Sequence, residues 1–156
     1  MDALTIARAA HVLSVVAWIG GVAFVTLVLL PALRNEQAAA RMDMFERLER
    51  RFARQAKLSV VIAGLSGFYM THELSAWERF LDIRFWWMHA MVAVWLIFAF
   101  VLFVAEPLFL HDWFHRYSHH DPDGSFRVLQ RMHYALLTAS LLTVAAAVLG
   151  AHAAIP

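Results

Sequence analysis

Four long apolar segments constrain this chain more than any other feature of its sequence. They lie at about residues 5–30, 55–75, 85–110 and 128–154, and the first stops before Pro31. A membrane-spanning helix needs roughly 20 mainly apolar residues. Because the alternation of apolar and polar residues that is typical of strands is not visible, we expect helices. The sequence predicts an all-α integral membrane protein, a four-helix transmembrane bundle formed by a single domain of residues 1–156.

The composition agrees with a membrane protein. Of the 156 residues, 62% are hydrophobic and 16% are charged, whereas soluble domains are about half apolar and about a quarter charged. The chain contains no cysteine, which excludes disulfides, thiolate metal sites and thiol chemistry. A transition metal would therefore be held by His, Met, Asp or Glu. The net charge of +1 is uninformative by itself, and we expect no nucleic-acid partner.

The distribution of basic residues predicts the orientation in the membrane. Seven of the thirteen lie between the first two apolar segments: Arg34, Arg41, Arg47, Arg50, Arg51, Arg54 and Lys57. Cytoplasmic loops carry an excess of Lys and Arg, so this connection is expected inside, as is the third, with Arg116, Arg127 and Arg131. The second connection, from Glu73 to Arg84, is balanced in charge and is expected outside. Both termini are then extracytoplasmic, in a multi-pass protein of a bacterial-type cytoplasmic (inner) membrane.

This orientation groups the histidines of the apolar segments by depth. Four fall at the outer end, namely His11, His72, His89 and His152, whereas His133 lies near the cytoplasmic end of the fourth segment. Ionisable side chains inside a membrane span are costly, so each indicates a candidate functional site. His11 and His89 share a depth on different helices and are the best pair of axial ligands for a haem b iron. His72 and His152 would form a second pair, an accessory site, or wet helix ends.

Other residues near the outer histidines suit a haem. Arg8 and Arg84 would pair with the haem propionates, and Trp18 would pack against the haem ring. Stripes of Gly, Ala, Ser and Thr on the first, second and fourth helices allow close packing or leave room for a flat macrocycle. We therefore expect one haem b, with a second as an open alternative.

A second histidine group follows the third apolar segment. Three of its members are spaced so that they would share one helical face: His111, His115 and His119. With Asp112 or Asp121 they would bind zinc or copper, unless they simply mark an exposed helix end. His133 would join this group or ligate a separate haem in the inner leaflet.

Two further features bear on the inner side of the membrane. The stretch from Arg41 to Lys57 has the pattern of an amphipathic helix, either lying on the inner leaflet or extending the second span. Glu106 is the only acid deep in an apolar run, and Pro107 after it breaks the helical hydrogen-bond ladder. Glu106 would be a proton-relay residue or, as we expect, an ion-pair partner of the basic connection.

The first helix resembles that of two membrane families. The run Ala10-His-Val-Leu-Ser-Val-Val-Ala-Trp-Ile-Gly-Gly-Val-Ala-Phe, followed by Leu30-Pro-Ala-Leu-Arg, resembles the opening helix of the CopD-type copper-resistance membrane domain. It is also similar to the HemJ-type protoporphyrinogen oxidases. In the latter family the first-helix histidine is regarded as a haem ligand, which implies that role for His11. That family has a lysine near the start of its third helix, where this chain has His89, a departure that favours bis-histidine ligation over the oxidase reaction.

The leading hypothesis for function is a membrane b-type haem protein that transfers electrons to or from quinone or a periplasmic partner. Bis-histidine ligation fills both axial positions of the iron, which favours electron exchange. A copper transport or resistance protein that uses the same outer histidines is the first alternative. A HemJ-like protoporphyrinogen oxidase, and hence a membrane oxidoreductase, is the second. The bilayer is the expected surrounding, and the lipid-facing surface of four short spans allows a homodimer.

Overall fold

The described part of the chain is helical apart from short turns. A computed structural model describes residues 2–34, 37–110 and 121–152, and it contains no strand in those ranges. The α-helices are α1 (Ala3–Phe24), α2 (Leu30–Leu33), α3 (Ala38–Glu73), α4 (Trp86–Phe100) and α5 (Pro122–Ala151). Two π-helical segments, Val25–Leu29 and Val101–Leu110, follow α1 and α4. Two short 3₁₀ turns, Ala76–Leu81 and Ile83–Phe85, connect α3 to α4. The expectation of an all-α protein is confirmed for these residues.

Three helical stretches are long and apolar enough to cross a membrane. They are Ala3–Leu33, Ile83–Leu108 and Asp123–Ala151, with 31, 26 and 29 residues. These stretches mark a membrane-spanning protein and coincide with three of the four predicted spans. The remaining predicted span, at about residues 55–75, lies in the C-terminal half of α3. Its apolar run is short because Lys57 stands at one end and His72 and Glu73 at the other.

The helices pack mainly in two pairs, α1 along α3 and α4 along α5. One buried cluster joins all four and contains Trp18, Ile19, Val22, Val60, Phe98 and Leu137. A second cluster lies where the first helical stretch ends and contains Val25, Leu29, Leu30, Leu33, Phe45, Phe126 and Leu129. The buried core therefore extends along the length of the helices.

Glycines let aromatic rings sit between neighbouring helices. Each of four glycines faces a ring from another helix: Gly21 faces Phe52, Gly64 faces Trp95, Gly67 faces His11, and Gly150 faces Trp87. The Trp95 ring is also fixed by a hydrogen bond of 2.8 Å from Nε1 to the carbonyl of Val60. At these positions the small residues make room for aromatic side chains of neighbouring helices.

The chain stays helical at both Pro31 and Pro107. The first helical stretch was expected to stop before Pro31 but continues to Leu33, where Pro31 lies in the first turn of α2, a position at which proline is tolerated. Pro107 cannot donate a backbone hydrogen bond, yet the chain around it stays helical in the π form from Val101 to Leu110. The expected break at Pro107 is therefore a change of helix type.

The basic segment is a direct extension of the helix that carries the second apolar segment. α3 is continuous from Ala38 to Glu73, so the alternative of a separate surface helix does not hold. The extension is tied to the start of α5 by Arg41, which is 5% exposed. Its Nη2 lies 2.6 Å from Oδ1 of Asp123, and its guanidinium lies over the Phe126 ring at 4.7 Å.

The contacts between glycines and aromatic rings predict different effects for two glycine substitutions. A Cβ at Gly64 would stand 2.6 Å from the Trp95 ring, whereas a Cβ at Gly20 would have no heavy atom within 4 Å. We expect Gly64→Ala to lower the free energy of unfolding by about 1–3 kcal/mol through overpacking. Gly20→Ala should leave it unchanged or raise it by up to about 1 kcal/mol. Unfolding of both variants in detergent micelles tests this, and equal effects would contradict the packing described.

Candidate functional site

His11 is held inside the pair formed by α1 and α3. Its Nδ1 lies 2.9 Å from the carbonyl oxygen of Ala63 and 3.3 Å from Oγ of Ser66. Because a carbonyl oxygen only accepts, Nδ1 donates and carries the ring proton of the neutral imidazole. The Nε2 atom is therefore left with its lone pair. Histidines that ligate metals are oriented in this way, with the other ring N–H donated to a carbonyl or carboxylate.

The position of His11 depends on a glycine across the helix interface. A Cβ at Gly67 would lie 3.2 Å from Cε1 of the imidazole, closer than ordinary van der Waals contact. Glycine at position 67 therefore lets the ring lie against α3. The neighbouring Ser66 hydroxyl is satisfied within its own helix, since it donates to the carbonyl of Ile62 at 2.5 Å.

His89 lies at the start of α4 with its side chain exposed. Its Nε2 is 2.9 Å from the carbonyl of Phe80, and its Nδ1 is 3.4 Å from the carbonyl of Phe85. The ring also meets Phe80 edge to face, at 5.5 Å between centroids. His89 thus fastens the connection between α3 and α4. No hydrogen bond or ring contact joins it to His11 in the described ranges.

His72 and His152 are both exposed at helix ends. His72 lies in the last turn of α3, and His152 follows α5, with its Nδ1 bonded to the carbonyl of Val148 at 2.8 Å. Among the residues that the structure describes, no group of three or more His, Asp or Glu side chains could hold a metal ion. The predicted ligands His111, His115 and His119 lie outside the described residues.

The two arginines predicted to meet propionates differ in their surroundings. Arg84 is paired with Asp82, with Nη2 2.7 Å and Nε 2.9 Å from Oδ2. These hydrogen bonds hold the pKa of the Asp82 carboxyl below its usual value. Arg8 is exposed on α1, one helical turn towards the N-terminus from His11. Arg8 is therefore the better placed of the two for a negatively charged group beside His11.

A cavity lies further along the helices from His11, and the sequence did not predict it. This inner cavity has a volume of about 340 Å³ and is lined by residues of all four long helices, among them Trp18, Phe52, Phe98, Glu106 and His133. Trp18 is seven residues beyond His11, which is about 10 Å along a helix. Trp18, which was predicted to pack against a haem ring beside His11, lines this cavity.

Polar and charged side chains line part of the inner cavity, namely Trp18, Glu49, Arg50, Glu106 and His133. Trp18 is 4% exposed, packs edge to face on Phe98 at 4.8 Å, and its indole Nε1 has no hydrogen-bond acceptor among the described residues. His133 has Nδ1 3.0 Å from the carbonyl of Leu129 in its own helix, which leaves the lone pair on Nε2. Glu106 has Oε2 3.2 Å from Nζ of Lys57. The expected pairing of Glu106 with the basic segment is confirmed.

Sequence reasoning missed this cavity because its members have no common spacing. Trp18, Phe52, Phe98, Glu106 and His133 come from separate helical segments, and only their packing brings them together. The one signal in the sequence was Glu106, an acid deep in an apolar run. A carboxylate in that setting needs a partner, and the search for that partner points to Lys57 on α3.

The chain matches no known family, no curated protein and no solved structure with which it was compared. What can be inferred about function therefore comes from the residues of the chain itself. The two arrangements that carry chemistry are His11, with a free Nε2 in the first apolar helix, and the inner cavity.

The pair of Lys57 and Glu106 predicts non-additive substitutions. Glu106→Gln leaves the Lys57 ammonium beside an apolar wall without its carboxylate, so we expect a loss of stability. In the double variant Lys57→Met/Glu106→Gln no unpaired charge remains, and much of that loss should be recovered. The coupling measured by a double-mutant cycle should lie at about 0.5–3 kcal/mol. Purely additive effects in detergent unfolding would show that the pair does not contribute.

Proposed function

We propose that this chain is a membrane protein that binds haem b through His11 and exchanges electrons with a quinone or a periplasmic partner. The observation that carries the proposal is the imidazole of His11 in an apolar helix, with Nδ1 donated to the Ala63 carbonyl at 2.9 Å. That bond fixes the tautomer and the orientation of the ring and leaves Nε2 for iron. The resemblance of the first helix to HemJ-type proteins, in which the first-helix histidine is regarded as a haem ligand, supports the same residue.

His89 is the proposed second axial ligand. Its Nε2 bonds to the carbonyl of Phe80, so binding iron requires the ring to give up that partner. Phe80 belongs to the 3₁₀ turn Ala76–Leu81, which contacts α3 through the stacked rings of Trp77 and Phe68, so the His89 ring would have to turn away from Phe80 to bind iron. Haem held by the two imidazoles would supply a one-electron couple. Arg8 would meet a propionate, because Arg84 is already paired with Asp82.

The proposed topology is a bundle of four spans with both termini extracytoplasmic, in a bacterial-type inner membrane. The concentration of seven basic residues between the first two spans supports it. So does the continuity of α3, because its basic extension would then project from the inner surface. A homodimer fits the lipid-facing surface of such a bundle.

Single cysteines test this topology cleanly because the chain has none of its own. Gln37→Cys and Glu78→Cys both place the thiol at an exposed position, at the proposed inner and outer ends. In intact spheroplasts, a membrane-impermeant maleimide should label Glu78→Cys, and should label Gln37→Cys only after permeabilisation. The reverse pattern would invert the proposed orientation, and labelling of both in intact cells would contradict the number of spans.

A copper transporter and a protoporphyrinogen oxidase remain predictions from the resemblance, and both would use the same outer histidines. The described ranges contain no group of three or more ligands that would favour copper. A second haem held by His72 and His152 would need two side chains that are now exposed at helix ends. One outer haem is therefore the simplest form of the proposal.

Haem content tests the proposal directly. Protein purified in detergent after expression with ample haem should show a Soret band, and sharp α and β bands after reduction. His11→Ala should lose most of this haem, and added imidazole should restore part of it by replacing the missing ligand. His133→Ala is the matched control, an intramembrane histidine at the other end, and should keep its haem. Haem retained in His11→Ala but lost in His133→Ala would overturn the assignment.

A further inference from the structure

We infer that the inner cavity binds the head ring of a lipid-soluble quinone. The inference deepens the proposed function, on which it rests for the role of such a molecule as electron partner. Most of its lining is apolar, as a lipid-soluble ligand requires. At about 340 Å³ it falls within the range of small-molecule pockets, roughly 300–1,000 Å³.

The walls of the inner cavity suit a flat ring. Trp18, Phe52 and Phe98 line it from three different helices, and Trp18 and Phe98 hold each other edge to face at 4.8 Å. Aromatic walls contribute both apolar area and specific ring geometry. The rest of the lining includes the polar or charged side chains of Glu49, Arg50, Glu106 and His133, so the cavity combines aromatic and polar surfaces.

The unpartnered indole of Trp18 is the observation that points to a ligand. A buried donor without an acceptor costs about 1–3 kcal/mol, and lipid offers no water to satisfy it. Trp18 is 4% exposed, and its Nε1 finds no acceptor in the part of the chain that the structure describes. An acyl chain would leave this N–H unsatisfied, whereas the carbonyl oxygen of a quinone would accept its hydrogen bond.

The polar part of the cavity lining suits the reduced form of the same ligand. His133 donates through Nδ1 to Leu129, so its Nε2 can accept a hydrogen bond from the hydroxyl of a quinol. Trp18 can only donate, and the unprotonated Nε2 of His133 can only accept. A quinol ring offers one oxygen as acceptor to Trp18 and one hydroxyl as donor to His133, which a hydrocarbon chain does not.

The indole signal of Trp18 tests this inference without any substitution that could unfold the protein. The wild-type chain, prepared without haem and labelled with ¹⁵N at its six tryptophans, is titrated with a short-tailed benzoquinone in micelles. The Trp18 N–H resonance, assigned from its absence in Trp18→Phe, should move downfield and saturate, while that of exposed Trp86 stays in place. A Trp18 signal that does not move would overturn the proposal, and an equal shift with a saturated fatty acid would identify a lipid site instead.

Affinity measurements complete the test. Trp18→Phe keeps an aromatic wall but removes the donor, so quinone should bind roughly three- to tenfold more weakly, as expected for one neutral hydrogen bond. Trp86→Phe, the matched control away from the cavity, should bind as the wild type does. Haem content is measured on the same variants. Haem bound through His11 with no quinone affinity would contradict this inference alone, and quinone affinity without haem would contradict the proposed function alone.

Discussion

The structure depends on one constraint, that lipid offers no hydrogen bonds to a polar group. Hydroxyl groups within the apolar helices therefore bond to carbonyls of their own helix. Thr26 donates to the carbonyl of Val22 at 2.7 Å, and Ser140 donates to the carbonyl of Leu136 at 2.7 Å. The ring N–H of His11 is satisfied across the interface with α3, where it donates to the Ala63 carbonyl. Among the described residues, the Trp18 indole N–H has no acceptor, and the Glu106 carboxylate is paired with Lys57. Both side chains line the inner cavity, for which we propose a ligand.

The close approach of the helices also determines which side chains lie between them. Glycines admit whole aromatic rings, with Trp95 at Gly64 and His11 at Gly67. The notches that small residues create are thus filled by the protein, and the ring at Gly67 is an imidazole whose Nε2 keeps its lone pair. In this way the packing of α1 on α3 both stabilises the fold and orients the imidazole that we propose as a haem ligand.

Hydropathy predicted most of the fold, because three apolar helices are long enough to be recognised from composition alone. It predicted less of α3, where Lys57, His72 and Glu73 shorten the apolar run. The ion pair of Glu106 with Lys57 was also within reach, since a carboxylate in an apolar segment requires a partner. By contrast, the bond from His89 to the Phe80 carbonyl and the place of Trp18 in the inner cavity follow from the path of the backbone and from packing across helices, which no local pattern encodes.

Together these features describe a membrane protein with an oriented histidine, His11, towards one end of its helices and a cavity further along them. The central claim is that two imidazoles, those of His11 and His89, complete the coordination of one haem iron. The most direct measurement is the low-temperature electron paramagnetic resonance spectrum of the oxidised protein purified with its haem. We expect a low-spin ferric signal with the anisotropy of bis-imidazole ligation. A high-spin signal would contradict the pairing of His11 with His89, and the absence of any haem signal would contradict the account as a whole.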